Sequence, residues 1–138
     1  MNRLLFKKLS TIRLKEAQIL LKKGHYSGAY YISGYVIECA LKACIARKTR
    51  KGDFPLDRKS LDNIYTHELE KLIKGAGLEI KLNNQIKADK TFDTYWGVAK
   101  DWSENARYEQ HQRKKAEDMI LSITDSRKGV LQWIQKYW

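Results

Sequence analysis

The sequence predicts an all-α fold, an up-and-down bundle of four core helices with one or two short ones. Three observations predict it. Apolar residues recur at helical spacing along most of the chain, and no segment alternates apolar and polar residues over a useful length. Eight glycines and a single proline, Pro55, also leave little material for the many turns of a β-sandwich. The 138 residues suit one domain with a real core, so residues 1–138 are read as a single helical domain without repeats or low-complexity tracts.

The first helix is read over Thr11 to Lys23 from Leu14, Ala17, Leu20 and Leu21, with Gly24 as its stop. The run "SGAYYISGYVIECALKACIARK" that follows is small or apolar over most of a helical circumference, as a central helix packed from several sides should be. Its Gly28, Ala29, Ser33 and Gly34 let neighbours come close. Residues Thr49 to Tyr65, dense in charge and broken by Gly52 and Pro55, read as a long mobile loop. Thr66 is placed to N-cap "HELEKLIKGAG", which Gly75 and Gly77 end. Two short helices follow over Glu79 to Ala88 and Thr91 to Trp102. The stripe Ala116, Met119, Ile120, Ile123, Val130, Leu131, Ile134 and Trp138 predicts one long last helix, starting between Arg107 and Arg113.

The formal charge of +11 gathers in three stretches, Arg3 to Lys23, Lys42 to Lys59 and Arg107 to Lys115. Such a surface attracts phosphate backbones through counterion release, and acidic proteins equally. No window has the roughly 18 apolar residues of a membrane span, and "MNRLLFKKLS" lacks the apolar core of an export signal. A cytoplasmic protein without a membrane association is expected. Cys39 and Cys44, five apart on one helix, point well away from each other and read as buried reduced thiols. Trp96, Trp102, Trp133 and Trp138 read as core or interface residues, with Trp138 expected to dock on the body or on a second subunit.

Glycine-rich phosphate loops, HExxH, GxSxG and carboxylate pairs at metal-binding spacing are all missing, so neither cofactor nor metal is expected. Three polar sites remain. Glu38 lies within the most apolar helix, where an unpaired carboxylate costs several kcal/mol, and Arg107 is its candidate partner. His67, after Thr66, reads as a structural histidine bonded to the backbone. The third site is "WSENARYEQH", Trp102 to His111, and two readings of it stand side by side. With a helix beginning near Tyr108, Arg107 grips a phosphate bidentately, Lys114 and Lys115 add phosphate contacts, and a neutral His111 near the helix N-terminus acts as base on an RNA 2′-hydroxyl. Alternatively Glu104, three residues before Arg107, pairs with it, and the stretch is a solvated helix start.

The stretches "LLKKGHYSGAYYISGYVIECALKACIA", "THELEKLIKGAG", "WSENARYE" and "GVLQWIQKYW" together resemble the HEPN domain (higher eukaryotes and prokaryotes nucleotide-binding), in its stand-alone bacterial or archaeal type. The resemblance covers about Thr11 to Trp138. It implies a helical bundle that usually dimerises and that works beside a nucleotidyltransferase or in toxin-antitoxin and defence systems. Many members are metal-independent ribonucleases with an Arg-x(4 to 6)-His motif assembled across the dimer. Here the arginine is Arg107, preceded two places earlier by Asn105, and the histidine is His111, with a gap of three residues, one short of that pattern. Members without the motif bind nucleotides, nucleic acids or partner proteins.

The expected function is therefore a dimeric HEPN-type module that binds nucleotide or RNA through Arg107, Tyr108, Lys114 and Lys115, acting with a separately encoded nucleotidyltransferase or antitoxin. One alternative is an endoribonuclease toxin using Arg107 and His111. The other is a protein-interaction module whose positive faces meet an acidic partner.

Overall fold

The helix α1 spans Arg3–Lys22 in the computed structural model, which describes residues 2–49 and 61–138. It starts eight residues before the predicted Thr11, because the Asn2 side chain accepts the Leu5 amide and caps a first turn rich in good helix formers. Gly24, at φ +82°, ends it as expected. The helix α2, Tyr26–Lys48, is the central one: most of its residues from Ala29 to Ile45 are buried, and α1 packs along its length. The hydroxyl of Ser10, fully buried on α1, donates to the Val36 carbonyl across that contact at 2.8 Å.

The helix α3, Leu69–Gly75, starts later than the predicted cap at Thr66. Thr66 Oγ1 accepts the Glu68 amide at 3.0 Å and so closes the turn before the helix, while the Glu68 side chain at the N-cap makes no capping bond and pairs with Lys71 at 3.4 Å. Of the predicted mobile loop, residues 50–60 lie outside the described ones, and Leu61 to Tyr65 are held by turn hydrogen bonds to the Leu61 carbonyl. The helices α4, Glu79–Ala88, and α5, Lys90–Lys100, fall where the sequence puts two short helices. Asp89 caps α5 by accepting the Thr91 and Phe92 amides.

The single long last helix is not formed. A 3-10 turn spans Glu104–Tyr108, α6 runs over Arg113–Thr124, and α7 over Val130–Gln135. The break has a local cause. The Asp125 carboxylate accepts both the Arg127 and Lys128 amides at 2.9 Å, turning the chain out of the helix, and α7 then returns to the same core. Seven α-helices and no strand occur among the described residues.

Phe92, Ile37, Leu41, Leu72, Met119, Ile123 and Ile134 are fully buried side chains of the core, and Trp133 packs on Phe92 with ring centroids 5.5 Å apart. Cys39 and Cys44 are buried and unbridged, and burial pushes both thiols up to about 11, so neither is a thiolate at neutral pH. Trp138 docks on α1: Lys7 Nζ stands 5.1 Å from its ring centroid and the Arg3 guanidinium donates to its carbonyl. No described helix is long and apolar enough to cross a membrane.

Candidate functional site

The segment between α5 and α6 lies across the N-terminal half of α2, and one residue seats it. Trp102 lays its indole against Gly34, where a Cβ would come within 1.8 Å of the ring, and its Nε1 donates to the Tyr31 carbonyl at 3.1 Å. A glycine on the buried face of a central helix is thus a socket for an aromatic ring. Ser103 then accepts the Asn105 amide and starts the 3-10 turn, which leaves Arg107 and Tyr108 exposed. The Arg107 guanidinium stands 4.8 Å from the Tyr108 ring centroid. The Tyr108 hydroxyl, and after it that of Tyr31, hold the guanidinium in its charged form.

His111 takes the opposite path. It lies in the extended link between the turn and α6, its amide donates to Ser27 Oγ at 2.8 Å, and its ring packs on Tyr30 at a centroid distance of 4.2 Å. Its side chain is 10% exposed. Its Nε2 is 3.1 Å from a Glu109 carboxylate oxygen, close enough for an ion pair, but out of line for a hydrogen bond. This nitrogen is thus a buried polar atom without an aligned hydrogen-bond partner among the described residues. Burial, then the Asp101 and Glu109 carboxylates, hold the Tyr30 phenol above its ordinary value. Lys115 Nζ stands 5.3 Å from the other partner of that stack, the Tyr30 ring.

Several expectations are corrected by this geometry. Because α6 begins at Arg113, His111 precedes the helix instead of lying in its first turn, and the α6 N-terminus does not frame Arg107. Arg107 and His111 therefore do not share one face of a continuous helix. Instead the His111 ring stacks on Tyr30 of α2, and the Arg107 guanidinium lies over Tyr108. Among the described residues Glu104 forms no ion pair with Arg107. Glu38, 4% exposed, is not paired with Arg107 either: it accepts from Lys42 Nζ at 2.9 Å and meets His67 Nδ1 at 2.9 Å. Among the described residues His67 accordingly pairs with a carboxylate, where a backbone partner is expected from the sequence. Lys114 is exposed on α6, 3.3 Å from Asp118 one turn on.

A line of aromatic contacts links these groups. The Tyr31 and Tyr35 hydroxyls are 3.1 Å apart, and the Tyr35 ring meets Trp102 at 5.0 Å and His67 at 6.0 Å, both edge-on. Burial, then the bond to Tyr31, keep the Tyr35 phenol protonated. Sequence reasoning missed Ser27, Tyr30, Tyr31 and Tyr35 as site residues, since their helical spacing reads as core. Their hydroxyls, gathered in the first three turns of α2, are the signal that could have found them.

A family model for the HEPN domain matches residues 7–137. The chain belongs to the HEPN domain family. Comparison with curated proteins and with solved structures gives no significant match. HEPN domains form a family related to nucleotides and RNA, whose members commonly dimerise and bind nucleic acids. In this HEPN domain the "WSENARYEQH" segment combines three chemical capacities. Arg107 offers a planar fork for phosphate, Tyr108 an exposed ring, and His111 a ring nitrogen that is enclosed. Among the described residues no group of three His, Cys, Asp or Glu side chains is placed to hold a metal ion.

Proposed function

We propose that this HEPN domain is a dimeric module that binds RNA or a nucleotide without cleaving it, through Arg107, Tyr108, Lys114 and Lys115. The supporting observation is the contrast within one short segment. Arg107 and Tyr108 are exposed, whereas the candidate base, His111, is mostly buried and packed against Tyr30. A surface that offers a cation and an aromatic ring while closing off its imidazole suits holding a strand more than cutting it. Lys114 and Lys115 extend the positive surface along α6, and a separately encoded nucleotidyltransferase or antitoxin in the cytoplasm would be its working partner.

The test is binding of labelled single-stranded RNA, by anisotropy, over a range of salt. Affinity should fall steeply with salt, and Lys114→Ala with Lys115→Ala should reduce the slope of log K against log salt by about 1.4, at about 0.7 per phosphate contact. Binding that is absent, or a slope the double variant leaves unchanged, overturns the proposal.

One observation favours a second reading, a metal-independent endoribonuclease. The His111 Nε2 has no aligned hydrogen-bond partner among the described residues, so a ligand or a second subunit that opens the segment would find this nitrogen uncommitted. Cleavage of RNA in EDTA by the wild type, lost in both Arg107→Ala and His111→Ala, would replace the binding reading with this one.

A further inference from the structure

The helix α1 is apolar on two sides, and only one of them is used. Ser10 and Ala17 are buried against α2. At about 100° per residue, Leu5, Ile12 and Ile19 fall within a sector of about 40° on the far side of the helix. They are 39%, 47% and 58% exposed. Their spacing of seven sets one apolar residue every two turns, one of the two seam positions of a heptad, and cations hold the other. Three residues after each comes a lysine, Lys8, Lys15 and Lys22, all exposed, forming a parallel row about 60° away. Beside Ile12 the surface is hollow: Lys7, Lys8, Thr11, Ile12 and the docked Trp138 line a depression of about 340 Å³.

Charge decides what fits this seam. The helix carries six cations, Arg3, Lys7, Lys8, Arg13, Lys15 and Lys22, against one carboxylate, Glu16, which is already 2.9 Å from Arg13. A second copy would set this row of lysines against itself. A lipid surface would want a broad apolar face of 100° or so along the helix, and beyond the first turn, where Leu4 is also exposed, this row is one residue wide. A helix with apolar knobs at heptad spacing and carboxylates beside them satisfies both features.

We propose that the outer face of α1 docks an acidic amphipathic helix of a separate partner protein. Its apolar residues pack along Leu5, Ile12 and Ile19, one of them filling the hollow beside Trp138, and its carboxylates meet Lys8, Lys15 and Lys22. This surface is distinct from the Arg107 segment, and the proposal does not depend on RNA binding.

The probe is a labelled 21-residue helical peptide with leucine at the a and d positions and glutamate at e and g, compared with the same peptide carrying lysine at e and g. The full-length protein should bind the acidic peptide and not the basic one. Ile12→Ser with Ile19→Ser, folded by circular dichroism, should weaken that binding by at least about tenfold, and Lys8→Glu with Lys15→Glu should reverse the preference between the peptides. RNA affinity of the isoleucine variant should stay at the wild-type level. Failure to bind the acidic peptide, equal binding of both peptides, or binding that the isoleucine variant retains overturns the proposal. So does loss of a wild-type dimer in that variant by light scattering, which would make the face a self-interface. Loss in that variant of wild-type binding to vesicles of phosphatidylcholine and phosphatidylserine would assign the face to lipid and overturn it likewise.

Discussion

Gly34 and Trp102 are in such close contact that a methyl group on the glycine would fall 1.8 Å from the indole Cε2. The socket fixes the start of the segment that carries Arg107, because Trp102 also donates to the Tyr31 carbonyl from this seat. Gly34→Ala should expel the ring. Overpacking on a fully enclosed face costs about 3 kcal/mol, and the melting temperature should drop by on the order of 10 °C. The same variant should lose RNA affinity while keeping its helical circular dichroism, since the displaced segment carries the Arg107 and Tyr108 proposed to bind. Gly28→Ala, where the nearest atom to an added Cβ is a leucine methyl at 3.5 Å, should be close to neutral and serves as the control.

Glu38 is tied to two partners of unequal reach. Lys42 lies one turn along α2, while His67 comes from the approach to α3, so the carboxylate joins the central helix to a separate strand of chain. Removing it leaves side chains that can turn toward water, because His67 is half exposed and Lys42 partly so. Glu38→Ala should therefore cost about 2 kcal/mol, less than the 3–5 kcal/mol or so of stranding a buried charge. Lys42→Ala with His67→Ala strands that charge and should cost more than Glu38→Ala. Denaturant unfolding of the single and double variants checks both. Glu38 and His67 should couple by about 1 kcal/mol, and Glu38 and Arg107 should be additive.

Asp125 makes the break between α6 and α7 depend on pH. The Arg127 amide, then the Lys128 amide, hold its carboxyl below the ordinary value of 3.8, with the Tyr95 hydroxyl adding at 3.1 Å. A carboxyl whose pKa is lowered by folding contributes stability that is present in full above the unfolded value and is lost as the pH falls through the folded one. Asp125→Asn should thus melt below the wild type at pH 7, and the two curves should converge as the pH drops below 3.8. A gap that stays constant down to acid pH would assign the effect to lost packing and not to charge.

The break also has a steric side. An added Cβ at Gly129 would meet the Asp125 carbonyl at 2.5 Å and the Ile123 carbonyl at 2.7 Å, both backbone atoms that cannot step aside. Gly129→Ala should destabilise by about 2 kcal/mol in denaturant unfolding.

These positions show what the sequence makes legible. The central place of α2 follows from its apolar circumference, and Gly24 marks a helix end by a conformation that only glycine adopts freely. The break at Asp125 is hidden because Ile123 and Val130 are seven apart, which keeps the stripe in phase whether or not the helix continues. Only the aspartate and the glycine within "ITDSRKG" hint at a turn there. The sequence marks Arg107 and Tyr108 as ligand-gripping residues, but it also offers Arg107 as the partner of Glu38, which the fold does not make it. The partners of Glu38 and His111 were not legible, since His67 is 29 positions from the first and Ser27 is 84 from the second. Local pattern says that a buried carboxylate needs a partner, but the fold chooses it.

His111 separates packing from chemistry. Its backbone is held by Ser27 whatever the side chain, so replacing the ring leaves the path of the segment intact. What the ring supplies is a stack on Tyr30 and two nitrogens, and one of these has no aligned partner. His111→Phe keeps the stack and removes both nitrogens. It should match or exceed wild-type stability, because a buried polar atom without a bond costs about 1–3 kcal/mol. His111→Ala loses the stack and should be destabilised by about 1–2 kcal/mol. For a binding module both variants should hold RNA at wild-type affinity wherever they are folded. If the imidazole works as a base, the phenylalanine variant should bind RNA normally and cleave none in EDTA, although it is the more stable protein. Stability, affinity and cleavage measured together on these two variants distinguish a packed ring from a catalytic one.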